Sequence, residues 1–166
     1  MNIQLLEWGL FSFMIGMVLS LPLSAVYYQK SSPITKVFTN ARKLKSAHID
    51  FFMQGFALGF AFLLEVSLKT EFSIYIVIPL IYGSIMNPTI LLLEATPFIR
   101  SSYRFVHLFL RATSPLALLF AWIAIAVSFL PFYLNMLLLI MSVVGGLVIM
   151  IYLIKREAHS SKDLNI

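Results

Sequence analysis

Few residues in this chain could do chemistry, and they lie close together. His48, Asp50 and Gln54 fall in Ser46-Ala47-His48-Ile49-Asp50-x-x-x-Gln54-Gly55, and Asn87 falls in Tyr82-Gly83-Ser84-Ile85-Met86-Asn87-Pro88. A neutral imidazole can ligate a metal or a haem iron. A carboxylate can take a proton or a cation, and an amide can both donate and accept a hydrogen bond. On a helix, Asp50 and Gln54 stand ~40° apart, and Glu65 falls ~20° from Gln54, so one face carries all three. His48, Phe52, Gly55 and Gly59 form another stripe, with His48 ~120° from Gln54. Gly55-x-x-x-Gly59 is a small-residue pattern that admits a neighbouring backbone or a flat ligand. Two readings of this group stay open. In one, His48 and Asp50 cap a helix at the membrane surface and the glycines pack helices. In the other, His48 is a cofactor or metal ligand and the glycines make room for a macrocycle.

The second group has its own pair of readings. Pro79 and Pro88 each remove a backbone hydrogen bond, leaving the carbonyls of Tyr75 and Ser84 without their usual donors. Asn87 and Ser84 either bond across to the helix of His48 as packing glue, or Asn87, the kink and Gln54 line one polar pocket. Glu65 precedes Lys69 by four residues, the favourable order for a helical ion pair, and that pair is the expected role of both. His107 lies in the stretch Arg100–Arg111, which reads as amphipathic and interfacial. His159 is given no role. The basic stretch Lys30–Lys45 suits anionic headgroups.

The elements that position these residues follow from composition. Of 166 residues, 60% are apolar and 11% charged, and the mean hydropathy is +0.93. Soluble domains carry about 25% charge, so the chain is read as an integral membrane protein. A soluble domain, a disordered chain and a nucleic-acid-binding module are excluded, despite a net charge of +5. There is no cysteine, hence no disulfide, thiolate metal site or Cys nucleophile. Nor is there a GxGxxG, a P-loop or an HExxH. Met1-Asn2-Ile3-Gln4 carries no basic residue, so the first apolar run is expected to be a span and not a cleaved signal.

Spans are expected at about 5–28, 49–68, 72–93, 114–130 and 133–154. Leu116–Ile154 is free of charge over about 39 residues, or ~58 Å as one helix, roughly twice the hydrocarbon core. Pro131 divides it into a hairpin. With five spans, eleven of the twelve Lys and Arg share one side, with Lys69 opposite; with four, the split is eight to four. The positive-inside rule therefore favours five, with the N-terminus outside and the C-terminus cytoplasmic. The fourth span is the short one, and a re-entrant segment there gives the alternative count of four.

With the spans in place, the motifs around His48 and Asn87 resemble the small membrane isomerases, the styrene oxide isomerases and hydroxylaminobenzene mutases. Gly9, Gly16 and Pro22 of the first span are similar as well, and the likeness covers roughly residues 5–93. The resemblance implies a helical trimer in which the histidine matching His48 ligates haem b between subunits. Ferric iron there acts as a Lewis acid on an epoxide oxygen. Gln54 stands where the family has an asparagine that places substrate, and Asn87 matches its third-span asparagine. The family's tyrosine falls at Leu91, which has no hydroxyl. The region after residue 94 is more apolar than in that family and adds a span. A weaker resemblance runs to the eicosanoid and glutathione membrane enzymes, through a basic run and Ala-His.

The expectation is thus an all-α polytopic bundle, a single transmembrane domain over 1–166 with a polar, frayed tail from about 155. It would sit in a bacterial inner membrane as a homo-oligomer and hold haem b or a small lipophilic ligand. Gln54 and Asn87 would orient a substrate undergoing redox-neutral rearrangement. His48, Gly55 and Gly59 would hold the cofactor, with His48 on the metal, and Asp50, Tyr82 and Ser84 would line the substrate pocket. The competing expectation is a non-enzymatic membrane subunit or transporter-like protein with no cofactor.

Overall fold

The computed structural model describes residues 1–28, 33–97 and 104–163. Six helices follow one another: α1 Ile3–Tyr28, α2 Pro33–Val37, α3 Ala41–Leu68, α4 Ile74–Glu94, α5 Arg104–Phe129 and α6 Phe132–Asp163. Among the described residues there is no strand. Five helices are long and apolar enough to cross a membrane: α1, α3, α4, Phe105–Phe129 of α5 and Phe132–Tyr152 of α6. The protein is an all-α, polytopic transmembrane protein. It divides into two compact units, Met1–Ala124 and Ile125–Ile166.

In the first unit, α1 packs on α3 and α3 on α4. Lipid tails are as apolar as leucine, so helices associate here by close packing and by hydrogen bonds between them. The buried stripe of α1 is Leu5, Gly9, Ser12, Gly16 and Leu19, and that of α3 is Leu44, Ala47, Phe51, Gly55, Leu58, Ala61 and Glu65. Both advance by three or four residues, one face of a helix. The two backbones touch at Gly9 and Gly55, where a Cβ on Gly55 would sit 2.9 Å from the Gly9 carbonyl oxygen. The Ser12 hydroxyl donates to the Phe51 carbonyl at 2.8 Å. Leu19, Leu44, Phe51 and Ala95 close the core toward the end of the unit that carries Arg42, Lys43, Lys45 and Arg111, called the basic end below.

Four boundaries differ from expectation, each for a local reason. The second span begins at Ala41, not near 49, because the Asn40 side chain accepts from the Lys43 N–H at 3.1 Å and caps the helix there. His48 and Asp50 are therefore inside α3 and cap nothing. Within the basic loop, α2 starts at Pro33, a residue preorganised for a first helical turn. Of the stretch Arg100–Arg111, residues 100–103 lie outside the described residues and Arg104–Arg111 is the start of α5, which runs through Pro115 to Phe129. At 26 residues, α5 reaches ~39 Å, enough to span. The tail continues α6 to Asp163, where Lys155, Arg156, Glu157 and Ala158 are good helix formers.

In the second unit, α5 ends and α6 begins around Leu130-Pro131, as the hairpin reading required. The Pro131 carbonyl accepts from the N–H groups of Leu134 and Asn135, and the Asn135 amide donates to the Leu130 carbonyl at 3.1 Å.

At the end of α3 away from the basic residues, the expected Glu65–Lys69 pair does not form. Lys69 is the left-handed cap of α3, with φ 51°. Glu65 is 0% exposed. Its carboxylate accepts from the Asn2 N–H (2.6 Å), the Asn2 side-chain amide (2.5 Å) and the Phe72 N–H (2.7 Å). Three N–H donors thus satisfy this buried carboxylate, and among the described residues no cation touches it. Glu65→Leu is expected to lower stability by about 3 kcal/mol, by stranding main-chain donors. Lys69→Gly is expected to raise it by about 1 kcal/mol, by relieving the left-handed residue. Denaturant unfolding in mixed micelles measures both; equal destabilisation by the two changes would restore the ion pair.

Candidate functional site

The structure sorts the sequence candidates onto two faces of α3. His48 is on the α1 side. Its Nδ1–H donates to the Gly16 carbonyl at 2.8 Å. That bond fixes the tautomer and leaves Nε2 with a lone pair, the arrangement found in histidines that ligate metals. Among the described residues Nε2 has no partner. Phe52 meets the imidazole edge-on at 5.0 Å, and Phe13 meets Phe52 at 4.9 Å.

The donor chemistry at His48 fits a haem ligand, and the glycines fit it only in part. The room made by Gly55 is taken by α1, whose Gly9 carbonyl and Phe13 N–H lie against it. Gly59 has nothing within 4 Å of the place a Cβ would occupy, so its surface is open. Among the described residues no cluster of three or more His, Asp and Glu could hold a metal ion. A haem would rest on one histidine, with its other faces covered from outside the chain.

Asp50 and Gln54 are on the other face, one turn apart, and the Gln54 amide donates to an Asp50 carboxylate oxygen at 3.2 Å. Asp50 faces a cavity of about 320 Å³ between α3, α4 and α5, lined also by Lys43, Asn87, Ile90, Leu91, Glu94, Arg111 and Pro115. This cavity joins Asp50 with Asn87; Gln54, which the polar-pocket reading put beside Asn87, does not line it and meets Asp50 instead.

Asn87 is held by α5, not by α3. Its side-chain oxygen accepts from the Ser114 hydroxyl at 2.8 Å, and its amide N–H groups have no partner among the described residues. One turn away, α4 and α5 cross at Gly83, where a Cβ would come within 2.6 Å of the Leu118 Cβ and 2.9 Å of the Ser114 carbonyl oxygen. Thr113 gives its hydroxyl proton to the Phe109 carbonyl at 2.9 Å, so the Tyr82 hydroxyl donates to Thr113, at 2.8 Å. Tyr82 therefore fastens α4 to α5, and it does not line this cavity. Ser84 does not line it either, and its buried hydroxyl lacks a partner among the described residues.

Sequence reasoning passed over Glu94. The carboxylate of this last residue of α4 takes Lys43 of α3 at 2.5 Å, His107 of α5 at 3.1 Å and Arg111 of α5 at 3.9 Å. The available signal was its position, an acid between two basic stretches. The Asn40 N–H also donates to the Ala95 carbonyl at 3.2 Å, tying the start of α3 to the end of α4. A second hollow of about 690 Å³ opens beside Glu94, among Thr39, Asn40, Thr96, Pro97 and His107. His107, expected at the interface, is thus a partner of Glu94.

Comparison with protein-family models, with curated proteins and with solved structures finds no match.

Proposed function

We propose that this integral membrane protein binds a small lipophilic molecule in the cavity between α3, α4 and α5. One observation carries the reading: two polar residues from separate spans, Asp50 and Asn87, converge on one hollow that has Ile90, Leu91 and Pro115 as its apolar wall and Lys43, Glu94 and Arg111 as its charged lining. Convergent polar groups beside an apolar wall, in a hollow of this size, are what a small-ligand site offers. The reaction proposed there is a redox-neutral rearrangement, in keeping with the resemblance of the His48 and Asn87 motifs to the small membrane isomerases. Asn87 would hold a substrate oxygen through its unpartnered amide N–H, and Asp50 would accept or return a proton, with Gln54 steadying its carboxylate. The bacterial inner membrane, a cytoplasmic basic end and a homotrimer belong to the same proposal.

Titration of the purified protein with 2-phenylethanol tests the site. Binding is expected in the wild type and is expected to fall at least tenfold in Leu91→Trp, which fills the hollow, while His48→Ala keeps it. Binding that is indifferent to Leu91→Trp contradicts the proposal. An aryl epoxide or arylhydroxylamine added to the same preparations is expected to give an isomer of unchanged mass, and to give none with Leu91→Trp.

A second reading is favoured by the bond from His48 to Gly16: the free Nε2 ligates haem b, with Phe52 against the imidazole. When bound, haem would supply a Lewis-acidic iron. Purified protein with added haem is expected to show a Soret band that His48→Ala abolishes; a colourless preparation that takes up no haem contradicts this reading.

A further inference from the structure

Helices α3 and α4 hold three carboxylates, none of them fully exposed, and they are satisfied very unequally. Glu65 accepts three N–H donors. Glu94 faces a lysine, a histidine and an arginine. Asp50, half-buried within α3, has one side-chain hydrogen bond among the described residues, a 3.2 Å contact from the neutral amide of Gln54. A carboxylate withdrawn from water without a cation or several donors is costly, and in a span such a residue marks a counter-ion position.

The cations that share its cavity are engaged elsewhere. Lys43 and Arg111 both turn to Glu94, at 2.5 and 3.9 Å, and among the described residues neither forms an ion pair with Asp50. Lys43 and Asp50 are seven residues apart on α3, about two turns, and Glu94 and Asn87 are equally separated on α4. The cavity therefore runs from a charged mouth at Glu94, past Ile90, Leu91 and Pro115, to Asp50 and Asn87.

We propose that the ligand of this cavity is a small lipophilic ammonium, its cation on Asp50 and its apolar body against Ile90, Leu91 and Pro115. The inference rests on the reading of the cavity as a ligand site. The Asn87 side-chain oxygen, which accepts one bond from Ser114, keeps a second lone pair for an ammonium N–H. An anionic ligand would meet Asp50 at the inner end, far from Lys43 and Arg111, which lie at the mouth with Glu94. A neutral one would leave Asp50 without a counter-ion.

The experiment compares 2-phenylethylamine with its neutral isostere 2-phenylethanol and with 3-phenylpropionate, by calorimetric titration of the full chain in a non-ionic detergent. The amine is expected to bind at least about tenfold tighter than the alcohol, the scale of a charge-assisted hydrogen bond, and the propionate weakest. Asp50→Asn is expected to bring amine and alcohol to equal affinity. Leu91→Trp is expected to weaken both. Should Asp50→Asn not fold, the wild-type ratio of amine to alcohol still decides. Equal wild-type affinities, or a preference for the amine that survives Asp50→Asn, overturn the ammonium assignment and leave the cavity reading standing. Binding of neither probe overturns both.

Discussion

A charged group cannot be left bare inside a membrane protein, and the first unit of this fold is organised around meeting that demand twice. The α3–α4 pair is held at each end by a carboxylate. Glu65 gathers main-chain and side-chain N–H groups from Asn2 and Phe72 at one end. Glu94 gathers Lys43, His107 and Arg111 at the other. The first contact ties the start of α1 to the α3–α4 turn. The second ties the beginnings of α3 and α5 to the end of α4. The cavity exists because the second clamp joins three helices only at their ends. Below Glu94, α4 and α5 close again at Gly83 and Ser114, and α3 keeps Asp50 turned toward the gap.

Small residues set the remaining distances. Gly9 against Gly55 brings α1 and α3 to backbone contact, and Gly83 does the same for α4 and α5. Between helices that gain little from excluding water, such approaches supply the dispersion contacts, and serines at the same crossings add hydrogen bonds. Ser12 reaches the Phe51 carbonyl, and Ser114 reaches Asn87. Many large apolar side chains, among them Met53, Phe56 and Phe60 on α3, face outward, while Phe51, Leu58 and Leu80 fill the packing.

The span count was legible because it depends on local features: a charge-free run too long for one crossing, a proline within it, and the distribution of lysine and arginine. The division of α3 into a His48 face and an Asp50–Gln54 face was legible too, since it needs only the helical period. Periodicity tells which residues share a face and is silent on what the face meets. Asn87 was expected to reach α3 or a pocket beside it; it lines the pocket, yet its bond goes to Ser114. Glu65 was assigned the partner four residues away, because the true partners, Asn2 and Phe72, are brought by the fold. Glu94 escaped notice for the same reason, as its partners come from two other helices. The early start of α3 hung on a single capping side chain, Asn40. The early start of α5, ahead of the expected 114, carries the helix through Pro115, which neighbouring groups in a membrane protein allow.

The central claim is that α5 closes the cavity by pairing with α4 along Gly83, Asn87 and Ser114. The chain has no cysteine, so a cysteine pair reports without background. In membranes, Asn87→Cys with Ser114→Cys should form an intramolecular disulfide on mild oxidation, while Asn87→Cys with Gln54→Cys should not. Cross-linking of the Asn87–Gln54 pair in place of the Asn87–Ser114 pair would put α3 where this account puts α5, and would contradict it.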